Sequence, residues 1–229
     1  MKTVAIIPAG GAGRRMGSEI PKQYLPLAGT AVLVHTLQAF HLSAVIDEIF
    51  LAVPEEDIPE VRREIVSKYG ISKVVLVLAG GGKRQDSVRN ALLHVRDEHG
   101  IVVVHDGVRP FVSGEIIIGA VAAAKEYGAV TVGVPINDTV KETDADGWVK
   151  KTVARERLWL TQTPQAFRRE IIVTAYEKAA ADRFYGTDDA SLVERTGTPV
   201  RMIPGDCRNI KLTTPEDLLL GDVIMSRSV

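Results

Sequence analysis

The sequence predicts an α/β fold: a Rossmann-like, mostly parallel sheet flanked by helices, with a projecting β-hairpin arm. Short apolar, β-branched runs recur along the chain, and segments of helical period separate them. One stretch in the second half breaks this rhythm with two short alternating runs around a turn signal. The 229 residues suffice for one generous domain, so 1–229 reads as a single unit with 137–155 as an arm within it.

In chain order, strands are expected at 3–7, 48–53, 73–78, 101–105 and 129–134, where near-continuous apolar runs suit strands buried on both faces. Helices are expected between them at 32–41, 55–69, 86–98 and 115–127. The arm follows, with Asp146-Gly147 as its turn; an isolated hairpin is marginal in water, so Trp148 and its neighbours should pack on the parent domain or on a second subunit. A further helix is expected from Thr187, with Asp188 and Asp189 set against its dipole. The last helix starts at Thr214-Pro215-Glu216-Asp217, where a capping hydroxyl, a proline at the first helical position and two acids come together, and runs to about residue 225.

Composition removes several classes of function. Hydrophobic residues at 45% and charged residues at 25% are ordinary for a globular chain. With 28 Lys plus Arg against 29 Asp plus Glu, the net charge of −1 offers no general attraction for nucleic acid or anionic lipid, so any anion site must be local. The single Cys207 has no partner for a disulfide and fits a reducing compartment. The apolar run near Met1 is too short for a signal-peptide core, and no stretch has the length of a membrane helix; a cytoplasmic location is expected.

Ligands of open α/β sheets bind beyond the carboxyl ends of the strands, which directs attention to three loops. After the first strand come Pro8-Ala9-Gly10-Gly11-Ala12-Gly13-Arg14-Arg15-Met16 and then Pro21-Lys22-Gln23-Tyr24. Glycines let backbone amides approach a polyphosphate, while Arg15 and Lys22 supply cations to its oxygens. The dinucleotide fingerprint lacks its final small residue here, and no Gly-Lys-Ser or Gly-Lys-Thr completes a P-loop. After the third strand, Gly80-Gly81-Gly82-Lys83-Arg84-Gln85-Asp86-Ser87 can frame a flat base, with Ser87 either contacting the nucleotide or capping the next helix.

After the fourth strand come His105-Asp106-Gly107-Val108-Arg109-Pro110. A carboxylate emerging from a buried strand is placed to hold Mg²⁺ against phosphate, and Arg109 either pairs with it or clamps a substrate phosphate. His105 reads as a packed strand residue. No nucleophile constellation is present: Gly-x-Ser-x-Gly is absent and the five histidines lack metal-ligand spacing. Two glycine loops, several cations and one metal-suited carboxylate fit phosphoryl or nucleotidyl transfer, where catalysis is positioning and charge stabilisation.

Taken jointly, these motifs, with Thr163-Pro164-Gln165 and Asn209-Ile210-Lys211-Leu212-Thr213 followed by Pro215-Glu216-Asp217-Leu218, resemble the 2-C-methyl-D-erythritol 4-phosphate cytidylyltransferase family over almost the whole chain. The resemblance implies a homodimeric enzyme of non-mevalonate isoprenoid biosynthesis that uses CTP and Mg²⁺, or another divalent cation, on a polyol phosphate substrate. It implies catalytic roles for Arg15, Lys22 and Lys211, and nucleotide contacts from Ala9, Gly10, Gly11, Gly13, Gly81, Gly82 and Ser87. Asp106 would hold the metal. Asp106, Arg109, Thr139, Arg155, Thr163 and Thr187 would lie around the second substrate or the phosphates, with Thr139 and Arg155 serving the neighbouring subunit's site. Two alternatives stay open: a cytidylyltransferase that activates ribitol 5-phosphate, and a noncatalytic nucleotide-binding module.

Overall fold

The structure is a computed structural model that describes residues 1–11 and 20–227. Gly13 and Arg15 lie outside the described residues. The strands are β1 (Lys2–Pro8), β2 (Pro26–Leu27), β3 (Thr30–Ala31), β4 (Glu48–Val53), β5 (Val74–Ala79), β6 (His99–Val104), β7 (Ala129–Pro135), β8 (Val140–Thr143), β9 (Val149–Val153), β10 (Trp159–Arg168) and β11 (Arg201–Pro204). The helices are α1 (Val32–Leu42), α2 (Ile58–Glu60), α3 (Arg84–Leu92), α4 (Gly114–Tyr127), α5 (Arg169–Ala181), α6 (Asp189–Glu194) and α7 (Pro215–Ser226).

Seven strands form the central sheet in the order β11-β7-β10-β6-β1-β4-β5. All neighbours are parallel except β10, which runs antiparallel to both β6 and β7. The two-residue period of each strand divides the core into two layers. Ala5 and Ile7 of β1 face a cluster with Leu33, Leu37 and Phe40 of α1 and Ile117 and Val121 of α4. Val4 and Ile6 face the opposite cluster, with Val88 of α3, Ile172 and Tyr176 of α5 and Leu192 of α6.

All five expected strands and four of the six expected helices form within a few residues of their predicted limits, and the other two are broken or shortened. The 55–69 segment is a 3₁₀ turn at Glu55–Asp57, a short α2 and a π-helical stretch at Val61–Ser67 rather than one α-helix. The helix expected over 86–98 ends at Leu92: the amides of His94 and Val95 bond to carbonyls three residues back. The Arg96 N–H then donates to His99 Nδ1 (2.9 Å), turning the chain into β6 two residues before the expected start. The helix expected from Thr187 begins at Asp189, with Asp188 as its cap accepting from Ser191 N–H at 2.9 Å. At α7, Thr214 and Asp217 form the reciprocal capping pair that the sequence announces.

The antiparallel β10 and the helix α5 after it were not legible in the residue pattern. Pro164 and the polar Thr161, Gln162, Thr163 and Gln165 argue against a central strand. The sheet accommodates them through an irregularity: Gln162 pairs with Val132 and Gln165 with Thr131, so Thr163 and Pro164 drop out of the ladder on that side.

The arm is the antiparallel pair β8–β9, a sheet of its own. Its turn is closed by Asp144 Oδ1, which accepts from the N–H groups of Asp146 (3.1 Å) and Trp148 (2.9 Å). Gly147 takes φ +89°, a conformation that a side chain would strain. Trp148 is 75% exposed.

Candidate active site

The strand ends deliver three loops to one cleft. Backbone bonds that prolong the ladder hold each loop: Ala9 N–H to Ala52 O (2.7 Å), Gly80 N–H to Val53 O (2.7 Å) and Gly107 N–H to Pro8 O (3.2 Å). The cleft is lined by Ala9, Gly10, Gly11, Lys22, Gly81, Gly82, Ser87, Asp106 and Lys211, together with Lys83 and Arg84. The first nine of these, all singled out from the sequence, therefore meet in one place.

The glycine requirement is steric at Gly81. A Cβ there would lie 2.3 Å from Asp86 Cβ, so any side chain would force the loop away from α3. Ser87 Oγ accepts from Gly81 N–H at 3.0 Å, and Asp86 Oδ2 accepts from Lys83 N–H at 3.0 Å. Ser87 thus fastens the glycine loop. Lys22 sits beside the first loop, with its Cε 3.5 Å from where a Gly11 Cβ would be.

Asp106 is the one carboxylate lining the cleft among the described residues, and it is buried in a nest of cations. Its Oδ1 accepts from Arg84 Nε at 2.7 Å; its Oδ2 lies 2.8 Å from Lys211 Nζ and 3.7 Å from Arg109 Nε. Burial pushes the Asp106 carboxyl up, but Arg84 and Lys211 outweigh it and hold the group well below the usual carboxylate range. Lys211 arrives because Leu212 N–H donates to Val108 O at 2.9 Å, tying the late loop to the loop after β6. Arg109 does not line the cleft; its Nη1 donates to Asn209 O at 2.7 Å.

Beneath this carboxylate, the ladder break in β10 frees Thr163. Its Oγ1 accepts from Asp106 N–H and donates to His105 Nδ1, both at 3.1 Å, while His105 Nε2–H donates to Arg109 O at 3.1 Å. The Thr163 hydroxyl is engaged inward, so in this arrangement it sets the backbone at Asp106. Burial lowers His105 to about 4, which keeps it neutral, as befits a packed rather than proton-shuttling residue.

Besides Arg109 and Thr163, three expected site residues stand away from the cleft lining. Thr139 and Arg155 are exposed at the base of the arm, where Arg155 Nη1 donates to Asn137 O. Thr187 is exposed beside the Asp188 cap of α6.

One partnership escaped the sequence reading. Asp189, fully buried, accepts from Arg84 Nη2 at 2.8 Å through Oδ2 and from the Tyr176 hydroxyl through Oδ1. A carboxylate at the start of a helix reads as a dipole partner, and nothing local pointed to an arginine 105 positions away.

The donor set can hold a hard divalent cation. A single carboxylate with substrate phosphate oxygens is the usual Mg²⁺ arrangement, and Lys211, on the partly exposed rim, can turn from Asp106 Oδ2 toward those phosphates. A second group, Glu48, Glu98 and His99, gathers at the amino ends of the strands. There Lys2 Nζ already lies 2.6 Å from Glu48 and 3.1 Å from Glu98. His99 accepts from Arg96 through one ring nitrogen and meets Glu48 with the other, so this is an ion-pair cluster.

The family model for 2-C-methyl-D-erythritol 4-phosphate cytidylyltransferase, IspD, matches residues 3–227. Relatives of that name from Syntrophus aciditrophicus and Geobacter metallireducens are 53% and 47% identical over 226 and 232 residues. These alignments cover 99% and 100% of this chain and 97% and 100% of the relatives. A crystal structure of 4-diphosphocytidyl-2C-methyl-D-erythritol synthase from Anaerococcus prevotii superposes with a TM-score of 0.87 at 33% identity, covering 99% of this chain and 96% of that one. A 2-C-methyl-D-erythritol 4-phosphate cytidylyltransferase from Thermus thermophilus gives 0.82 at 30% identity, covering 99% and 100%.

Proposed function

This chain belongs to the 2-C-methyl-D-erythritol 4-phosphate cytidylyltransferase family, and on that premise we propose that it joins CTP to 2-C-methyl-D-erythritol 4-phosphate, forming 4-diphosphocytidyl-2-C-methyl-D-erythritol and pyrophosphate. The observation that carries this reading is the convergence of two glycine loops, Lys22, Lys211 and the buried Asp106 on one cleft at the carboxyl ends of the strands.

In the reaction, a phosphate oxygen of the acceptor attacks the α-phosphorus of CTP in line. The bond from that phosphorus to the bridging oxygen breaks, and pyrophosphate leaves with the electron pair. Nothing in this requires a covalent enzyme intermediate; the protein supplies positions and charge. Ala9, Gly10, Gly81 and Gly82 frame the base and ribose, and Gly11 and Gly13 serve the phosphates. Lys22 and Arg15 neutralise charge that grows as pyrophosphate departs, and Lys211 aligns the acceptor phosphate. Asp106 would hold Mg²⁺, and the ion when bound would supply charge neutralisation on the triphosphate.

The 1–229 chain works as one nucleotidyltransferase domain whose arm, 137–155, docks on a second copy. The exposed Trp148 and Val149 support this, because a hairpin paired only with itself needs a surface to cover it. Thr139 and Arg155 then serve the second copy's acceptor site, while Arg109 and Thr187 serve the site of their own subunit, which Thr163 supports through the backbone at Asp106. Among the described residues no helix is long and apolar enough to cross a membrane, and we place the enzyme in the cytoplasm.

The test is pyrophosphate release from CTP and Mg²⁺ with 2-C-methyl-D-erythritol 4-phosphate or ribitol 5-phosphate as acceptor. Turnover with the first is expected. Preference for ribitol 5-phosphate would overturn the acceptor assignment, and silence with both would leave a nucleotide-binding module.

A further inference from the structure

We propose that Asp189, held by Tyr176, is a positioning residue that divides the Arg84 guanidinium between two carboxylates and so keeps Asp106 Oδ2 turned to the cleft. This inference rests on the proposed nucleotidyl transfer. The guanidinium is a rigid planar fork that favours bidentate capture of a single carboxylate. Left with Asp106 alone, Arg84 could take both of its oxygens. Here only Nε reaches Asp106 Oδ1, at 2.7 Å, because Nη2 is bound to Asp189 Oδ2 at 2.8 Å. Asp106 Oδ2 is left to Lys211 at 2.8 Å, with Arg109 Nε farther off at 3.7 Å.

The second carboxylate is itself fixed. Asp189 is fully buried, and the Tyr176 hydroxyl occupies Oδ1, so Oδ2 is the oxygen presented to Arg84. Burial opposes the charge on Arg84, yet Asp189 and Asp106 together hold it firmly protonated. Nor is the bridge a stray pair. The next two residues also bind the segment leading into α6: Gln85 Nε2 donates to Phe184 O (2.9 Å), Gly186 N–H donates to Gln85 Oε1 (3.0 Å), and the Tyr185 hydroxyl donates to Asp86 Oδ1 (3.0 Å). Arg84 also opens α3 directly after the glycine loop, so the same bridge ties the base-framing loop to the carboxylate.

A structural support and a positioning residue are separated by a double-mutant cycle on turnover. Asp189→Asn is expected to lower kcat about tenfold while changing the KM for CTP less than about threefold. Arg84→Met should lose at least as much, and adding Asp189→Asn to it should cost less than about twofold more. Tyr176→Phe gives a second route should Asp189→Asn fold poorly, with a loss of about threefold that also vanishes in the Arg84→Met background. A full-sized Asp189→Asn effect on top of Arg84→Met, or a loss confined to KM, overturns the proposal.

A readout independent of turnover is the Arg84 Nε–H NMR signal, identified as the one lost in Arg84→Met. It should exchange slowly with water in the wild type and faster in Asp189→Asn and Tyr176→Phe; unchanged exchange in both overturns the bridge. Wild-type protein that releases no pyrophosphate would instead overturn the proposed function, while the NMR result still decides whether Asp189 restrains Arg84.

Discussion

The corner around Asp106 and the arm at β8–β9 both carry many charges, yet they are built on opposite principles. In the corner, groups from four separate parts of the chain meet in a buried space: Arg84 from α3, Asp106 and Arg109 after β6, Asp189 from α6 and Lys211 before α7. In the arm, every bond described is local. Lys151 pairs with Glu142 at 2.9 Å and Lys141 donates to Thr152 at 2.6 Å, all on an exposed hairpin. A buried charge left unpaired is costly, whereas an exposed ion pair is screened by water and contributes little. The corner therefore depends on the whole fold, and the arm can be altered almost without disturbing it.

The largest expected effect tests that dependence. Asp106→Ala removes the carboxylate that Lys211 and Arg109 face and leaves Arg84 with Asp189 alone; it should cost about 2–4 kcal/mol of stability and reduce turnover at least about a thousandfold, measured by urea denaturation and pyrophosphate release. Lys22 lies on the cleft wall beside Gly11. Its replacement by alanine, Lys22→Ala, should lower kcat about a hundredfold with a much smaller change in CTP affinity, read by steady-state kinetics and calorimetry, because an interaction that strengthens in the transition state acts on kcat. A loss confined to affinity would remove Lys22 from the transition-state role.

Acid separates the groups within the corner. His105, lowered to about 4 from 6.5 by burial, stays neutral in the fold, while the unfolded chain takes up its proton as pH falls below about 6.5. Its contribution is complete above that pH and is lost toward 4, a difference of about 3 kcal/mol. Asp106 is depressed, so its contribution is present above the ordinary carboxylate range and disappears only in stronger acid. Unfolding curves of wild type and His105→Gln should therefore converge as pH falls from 7 to 4; parallel curves would contradict a neutral buried imidazole.

The smallest effects belong to the arm. Gly147→Val strains a positive-φ turn by about 1 kcal/mol, and the melting of the central domain should barely move. Trp148→Asp should leave the monomer folded but shift sedimentation toward the monomer if the arm docks on a second copy. In mixed subunits, Arg155→Ala combined with Lys22→Ala should regain part of the activity when sites are shared. A dimer unaffected by Trp148→Asp would place the interface elsewhere.

Legibility followed the same division. Gly147 announced the hairpin, Thr214 and Pro215 announced α7, and the apolar runs announced β1, β4, β5, β6 and β7, because each signal acts within a few residues. The cleft was readable to the extent that strand ends place loops side by side: Gly10, Gly81 and Asp106 follow three parallel strands whose neighbours the βαβ rhythm implies. What stayed hidden was the residue whose partner lies far along the chain. Asp189 does sit in the first turn of its helix, but neither it nor Thr163 announced in sequence the Arg84 and His105 that their oxygens meet in the fold.

Residue order alone established the α/β class, the parallel strands, the caps, the glycine loops and the stock of cations, since these depend on propensity, periodicity and the steric freedom of a missing Cβ. Packing alone chose the antiparallel course of β10, the shift of Thr163 out of its ladder and the sharing of Arg84 between Asp106 and Asp189. The reason is desolvation: a charge removed from water must find its counter-charge wherever the folded chain supplies one, and that place need not be near in sequence.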